Sequence, residues 1–377
     1  MTQTTDFLAP ARLGRLALPH HLVMAPLTRN RAAADGTPTD LMVTHYAERA
    51  SAGLIIAEGS TPNPVGQTYP NITAIHTDRH VAGWRRVTDA VRAAGGHMFL
   101  QLQHGGRVSH PATTGLTPVS ASAIALPETI FTPGGHQPAA VPREMTAGDI
   151  RTTIADFAAA ARRAVDAGFE GVEVHSANGM LLHQFLTAGT NRRTDGYGGP
   201  LERRVRFAVE VTEAVAEAIG AERVGVRVSP GATVNGIDEG DETEELYPAL
   251  AARLQGIAYL HLVHADPDSA VFRRLRRDWR GTLIGNPVLT DLTTDAVRAG
   301  SERMLAGGAD LVALGRPFLA NPDLVERLRR GAPLNPVRER YFMYTGGAAG
   351  YNDYPALGGV GQPSSDSIVA FDGARVA

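Results

Sequence analysis

Met24-Ala25-Pro26-Leu27-Thr28-Arg29 follows a short apolar run that begins at His21, and it decides between two parallel-sheet architectures. An open, doubly wound sheet usually places a glycine-rich turn after its first strand, because glycine lets backbone close in on a pyrophosphate. This turn has no glycine and presents Pro26 and the Thr28 hydroxyl instead. The alternative is a closed barrel, and the chain around the turn supports it. Apolar, β-branched runs alternate with helical patterns that often stop at glycine. The strand–helix pairs read 21–28 with 39–52, 54–60 with 78–94, 97–103 with 147–167, and 171–175 with 201–219. They continue as 224–229 with 243–255, 259–263 with 270–279, 282–285 with 292–306, and 311–314 with 322–329.

Eight βα units in order imply an α/β fold closed into a (β/α)8 barrel, the TIM-barrel architecture. The expectation is one barrel domain over residues 1–377. Residues 1–20 read as a short N-terminal hairpin or lid at the barrel bottom. A long excursion after strand three, 105–145, is rich in Pro, Gly, Ser and Thr, which marks a functional loop. A C-terminal segment, 332–377, carries Tyr341, Tyr344, Tyr351 and Tyr354, and its last dozen residues are expected to be mobile.

Composition excludes several functions. Apolar residues make up 43% of the chain, enough for a large core, and the net charge of −3 argues against a nucleic-acid binder. There is no cysteine, so disulfides, thiolate metal sites and thiol catalysis are excluded. Every basic residue is arginine, which removes Schiff-base lysines and the Walker A loop. Met1 to Pro10 has neither the basic start nor the apolar run of a signal peptide, and no stretch approaches the roughly 20 apolar residues of a membrane span. These features predict a cytoplasmic protein with no membrane partner. Asn71-Ile72-Thr73 then reads as an accidental glycosylation match.

Barrel enzymes carry their chemistry at the carboxyl ends of the strands. Here those ends present Thr28, Glu58-Gly59, Gln101 to His104, His175 to Asn178, Arg227, His264, Asn286 and Gly315-Arg316. Gly315-Arg316 follows strand eight, where such barrels often hold phosphate, and a guanidinium is a permanent charge for that purpose. There is no nucleophile elbow, no zinc pattern and no carboxylate cluster, so no metal is expected. His261 and His264 read as a strand-packing pair. A phosphate clamp, amide side chains and few acids suggest a phosphate-bearing cofactor that supplies the chemistry.

Six further stretches make the pattern specific: Gln101 with His104-x-Gly106-Arg107, His175-Ser176-Ala177-Asn178-Gly179, Asn191 to Gly199, Arg227-Val228-Ser229-Pro230, Gly315-Arg316-Pro317 and Asn321-Pro322-Asp323-Leu324. Together with the Met24–Arg29 turn, and in order from Leu8 to Leu357, they resemble the Old Yellow Enzyme family. The resemblance implies an FMN enzyme in which NADPH or NADH reduces the flavin and the flavin delivers hydride to an activated alkene or nitro compound. It implies that Pro26, Leu27 and Thr28 line the flavin and that Gly59 brings backbone close to the ring. Gln101 would read the pyrimidine edge, Arg227 would stabilise the reduced anion, and Gly315 and Arg316, with Asn286 nearby, would hold the phosphate end. His175 and Asn178 resemble the pair that anchors the substrate oxygen, and Tyr69, Gln103 and Tyr344 match pocket-lining positions.

Three positions depart from that pattern. Met180 stands where the family carries a proton-donating tyrosine, and a thioether has no proton to give. Gln103 replaces a bulky aromatic, and Pro287 lacks the N–H that a glycine would offer to phosphate. The departure at Met180 leaves redox-neutral or oxidative flavin chemistry open (isomerisation, desaturation, cyclisation), as well as a barrel that binds a ligand without turnover. The partner is a small molecule in each reading, while substrate, nicotinamide preference and oligomeric state stay open.

Overall fold

Eight parallel strands close into a barrel in the computed structural model, which describes residues 6–345 and 347–358. They are β1 Leu22–Met24, β2 Leu54–Ser60, β3 Met98–Leu102, β4 Gly171–His175, β5 Val224–Val228, β6 Tyr259–Ala265, β7 Thr282–Pro287 and β8 Leu311–Leu314. Each strand pairs with its sequence neighbours, and β8 pairs with β1 to complete the ring. The helix that follows each strand covers the outside: α1 Asp40–Ala47, α2 Asp78–Ala93, α3 Ala147–Asp166, α4 Arg206–Ile219, α5 Thr243–Arg253, α6 Ala270–Asp278, α7 Thr294–Ala306 and α8 Leu324–Arg330. The expected alternation is the observed one. Among the described residues no helix is long and apolar enough to cross a membrane.

Local chemistry explains the boundaries. Thr77, Thr146, Ser269 and Thr293 cap α2, α3, α6 and α7 through their hydroxyls, with a reciprocal capping box between Thr146 and Asp149. Strand β1 ends four residues earlier than its apolar run, because Pro26 has no N–H for the ladder. Helix α1 stops at Ala47 rather than at 52, since Gly53 N–H already bonds the Leu22 carbonyl of the sheet. The sequence reading missed several short helices, among them Leu181–Leu186, every residue of which is buried, and Arg340–Tyr344.

The barrel interior is layered. At the amino ends of the strands, Val23, Leu54, Ile56, Phe99, Tyr259, Ile284 and Leu311 form an apolar floor. The N-terminal hairpin, Ala11–Leu13 with Leu16–Leu18, inserts Leu13 and Leu18 into it and closes the bottom. Burying such side chains contributes about 1.5–3 kcal/mol each. Gln101, Glu173, Arg227 and His261 form a polar layer above. The long excursion is partly ordered: Thr129–Thr132 and Gly135–Pro138 form a hairpin within it.

The C-terminal segment is clamped to the loop after β1. Arg29 Nε donates to the Met343 carbonyl at 2.7 Å and Nη2 to that of Gly350 at 2.6 Å. Arg31 donates to the carbonyls of Phe342, Thr345 and Gly347. Both guanidinium groups lie against the Tyr351 ring, which stacks on His45 with centroids 3.9 Å apart. The last dozen residues, expected to be mobile, lie outside the described residues.

Candidate active site

The carboxyl ends of the strands open into a cavity of about 1040 Å³. Pro26, Leu27 and Thr28 reach it from the end of β1, and Gln101 and Gln103 from β3 and its exit. His175, Asn178 and Met180 come from β4 and its loop, Arg227 from β5, Asn286 from β7, and Gly315 and Arg316 from beyond β8. Tyr69 and Tyr344 close it from the loop after β2 and from a C-terminal helix, Arg340–Tyr344. Of the residues to which the family resemblance gives a role, Gly59 stands apart. A Cβ there would lie 2.4 Å from Gln103 Oε1, so this glycine makes room for the Gln103 side chain behind the cavity wall. Glu58 also turns away from the mouth, accepting from Tyr46 Oη and Arg29 N–H.

Among the described residues no carboxylate lines this cavity, whereas three guanidinium groups do: Arg227, Arg316 and Arg340. Arg227 is 6% exposed and donates through Nη2 to Asn286 Oδ1 at 3.1 Å. Asn286 in turn donates to the Ala313 carbonyl, which fixes its amide. Burial pulls Arg227 below its ordinary value, and Glu173 opposes that shift. Its Nε is buried without a partner. Arg316 sits exposed at the rim and donates to the Leu289 carbonyl.

His175 and Asn178 face the same space. Burial, and then the charge of Arg227, push His175 down to about 3, so its ring is neutral at physiological pH and keeps one N–H donor. Asn178 holds a left-handed φ of +52°, which asparagine tolerates better than most residues. Its N–H donates to Ser229 Oγ and its carbonyl accepts from Asn235 Nδ2, each at 2.8 Å. His175 Nδ1 and Asn178 Oδ1 are buried with no hydrogen-bond partner. Buried polar atoms without partners are costly, so this pair is arranged for a bound molecule.

The model of the NADH:flavin oxidoreductase / NADH oxidase family matches residues 6–335. The chain belongs to the Old Yellow Enzyme family. A probable flavin mononucleotide-dependent alkene reductase of Leishmania infantum is 41% identical over 363 residues, covering 93% of this chain and 97% of that one. A 12-oxophytodienoate reductase 7 of Oryza sativa subsp. japonica is 37% identical, covering 95% of each. Morphinone reductase in complex with tetrahydroNAD superimposes with a TM-score of 0.86 at 42% identity, over 96% of this chain and 99% of that one.

The residues present fit the family's FMN. A long cavity free of acids, with a buried cation at its floor and a second at one rim, suits a flat heterocycle that carries a phosphate. Pro287 and Pro317 line the same cavity and have no N–H to donate, whereas Arg316 and Gly315 beside them do.

Several cavity residues of this Old Yellow Enzyme member escaped the sequence reading. Thr129, Phe131 and His136 come from the hairpin in the long excursion. A β-branched and aromatic run before Pro133-Gly134-Gly135 was the available signal. The expected His261–His264 packing pair is split. His261 is fully buried and bonds Glu173, while a bulge in β6 between Val263 and Ala265 turns His264, at φ +53°, to the cavity. No local sequence signal marks such a bulge.

Proposed function

We propose that this chain is an FMN-dependent oxidoreductase of the Old Yellow Enzyme type that reduces an activated alkene, an α,β-unsaturated carbonyl or a nitroalkene, with NADPH or NADH as reductant. The observation that carries the reading is the pair of unpartnered polar groups on His175 and Asn178, beside Arg227, in a cavity without acids. FMN, when bound, supplies the passage of an electron pair from the nicotinamide to the alkene. The chain supplies the rest.

Arg227 and Gln101 would hold the pyrimidine edge, Pro26, Leu27 and Thr28 one flank of the ring, and Arg316 and Gly315 the phosphate. Arg227 keeps a positive charge where negative charge develops, and an enclosed site strengthens that effect. The His175 ring N–H and, with its amide turned so that Nδ2 faces the cavity, the Asn178 side chain would offer two donors to one substrate oxygen. That polarises the conjugated double bond and orients its β-carbon. Because His175 is neutral, it binds and orients but donates no formal charge. Hydride goes to the β-carbon, so the one proton that completes the reduction must reach the α-carbon from a group other than Met180. Tyr69 and Tyr344 line the cavity and can offer one, as can water.

The named relatives are reductases, which favours net reduction over the redox-neutral reading that Met180 leaves open. A cytoplasmic location fits an enzyme that draws on the cell's NAD(P)H. The test is reconstitution with FMN, followed by anaerobic turnover with NADPH or NADH and cyclohexenone. The expected product is the substrate plus two hydrogens. Protein that bound no FMN, or that consumed nicotinamide without a reduced product across a panel of enones and nitroalkenes, would overturn the proposal.

A further inference from the structure

Directly under the cavity floor lies a charged group that the chemistry above leaves without a task. Glu173 is fully buried; its Oε1 accepts from Gln101 Nε2 and its Oε2 from His261 Nδ1, each at 2.8 Å. The sheet register sets this contact: Glu173 lies beside Gln101 on β3 and Gly225 on β5, and Arg227 lies beside His175 and His261. Gly225 is required here, since a Cβ would fall 2.1 Å from the Tyr259 ring that fills the space beneath. The apolar floor of Phe99, Tyr259 and Ile284 seals the layer from below.

Burial alone would raise the Glu173 carboxyl, but His261, Arg227 and Gln101 outweigh it and hold it below the ordinary carboxylate value. Burial keeps His261 below its own ordinary value. The layer therefore holds one carboxylate, one guanidinium and a neutral imidazole that donates its Nδ1–H. A sealed carboxylate is a poor way to fill a barrel, since an apolar side chain of similar size packs as well without desolvation. Both of its direct or near partners at the floor, Gln101 and Arg227, line the cavity.

We propose that Glu173 is a positioning residue for the cofactor: it fixes the Gln101 amide with its oxygen toward the cavity, and it offsets the Arg227 charge under the pyrimidine edge. This rests on the FMN reading above. With the NH2 group of Gln101 committed downward to Glu173, the carbonyl oxygen is left as an acceptor for a ring N–H. The net charge of the layer is zero, so Arg227 steadies incoming negative charge without holding it too firmly for delivery to the alkene. Removing the carboxylate would leave an uncompensated cation, and reduction of the bound flavin would become easier to achieve and harder to reverse.

The test uses the FMN-loaded enzyme and its Glu173→Gln and Glu173→Asp variants. Midpoint potential is read by spectroelectrochemistry, and FMN dissociation by fluorescence titration. E173Q should move the potential to more positive values. E173D keeps the charge but withdraws the carboxylate from Gln101, so its potential should stay near wild type while FMN dissociation rises about ten-fold, as expected for losing a hydrogen bond to a charged group. An unchanged potential in E173Q, or an equal shift in both variants, would overturn the proposal. Should E173Q fail to fold, E173D decides alone, and unchanged FMN affinity there refutes it. Wild-type protein that binds no FMN would instead defeat the functional reading, which keeps the two failures apart.

Discussion

Met180→Tyr should convert a slow alkene reducer into a faster one, and the structure sets the size of the gain. Met180 lines the cavity two residues beyond Asn178 and is 6% exposed, so a larger side chain there points at the same space as the substrate anchors. A positioned general acid contributes about 10²–10⁴-fold. Burial weakens that acid. Tyr69, in the same cavity, is pushed up to about 12 by burial and the neighbouring Tyr344, from an ordinary value of 10.0. With a sensitivity of about one half to donor acidity, two units cost about ten-fold. A tyrosine at 180 in similar surroundings should therefore speed protonation by roughly 10- to 10³-fold, or about 1.4–4 kcal/mol of barrier. The assay is anaerobic stopped-flow, following the return of yellow absorbance when pre-reduced enzyme meets cyclohexenone. Reduction by NADPH should be unaffected. The reasoning is refuted if M180Y binds FMN normally yet reoxidises no faster than wild type. Loss of activity in a Tyr69→Phe or Tyr344→Phe variant would then identify the native donor.

Arg316→Ala should weaken FMN by roughly ten- to hundred-fold (about 1.4–2.7 kcal/mol), less than a buried pair because the guanidinium is exposed, and the difference should shrink with added salt in fluorescence titrations. His175→Ala and Asn178→Ala should retain FMN but bind phenols at least ten-fold more weakly than the wild type, as read by absorbance titration of the flavin. Acid should unfold the protein early. His104 and His175 are both pushed down to about 3 in the fold by burial, against 6.5 unfolded. Neither affects stability above pH 6.5, where both states are neutral; below it only the unfolded chain takes up protons, so stability falls with pH, by about 2 kcal/mol per histidine at pH 5. Thermal melts between pH 7 and pH 5 should show this, and His104→Gln should flatten the decline. Gly225→Ala should lower the melting temperature by several degrees, since its methyl must displace the Tyr259 ring.

The barrel was legible because its signal is repeated: eight apolar runs, each followed by a helix pattern, outvote any single misplaced boundary. Most of the cavity was legible for a related reason, since the strand ends fix which polar residues share one mouth. What escaped depends on partners distant in sequence. Nothing near Gly59 announces that Gln103 needs its space, and the bulge that separates His264 from His261 arises from pairing with β7. The buried run Leu181–Leu186 is too short and too uniformly covered to show helical periodicity. Glu173 sits between two valines in a strand, a position that reads as core until the register sets Gln101 beside it.

The arginine clamp on the C-terminal segment has a temporal side. Arg29 and the Met343 carbonyl it holds are 314 residues apart. Synthesis proceeds at about 5–20 residues per second, so Arg29 waits roughly 15 to 60 s after it is made before its acceptor exists. Through that interval the growing barrel has no Tyr344 wall and no ring of Tyr351 to cover its cations. The C-terminal wall of the cavity is thus the last part of it to be made. A released chain ending shortly before residue 340 would carry a barrel with one open side and two bare guanidinium groups.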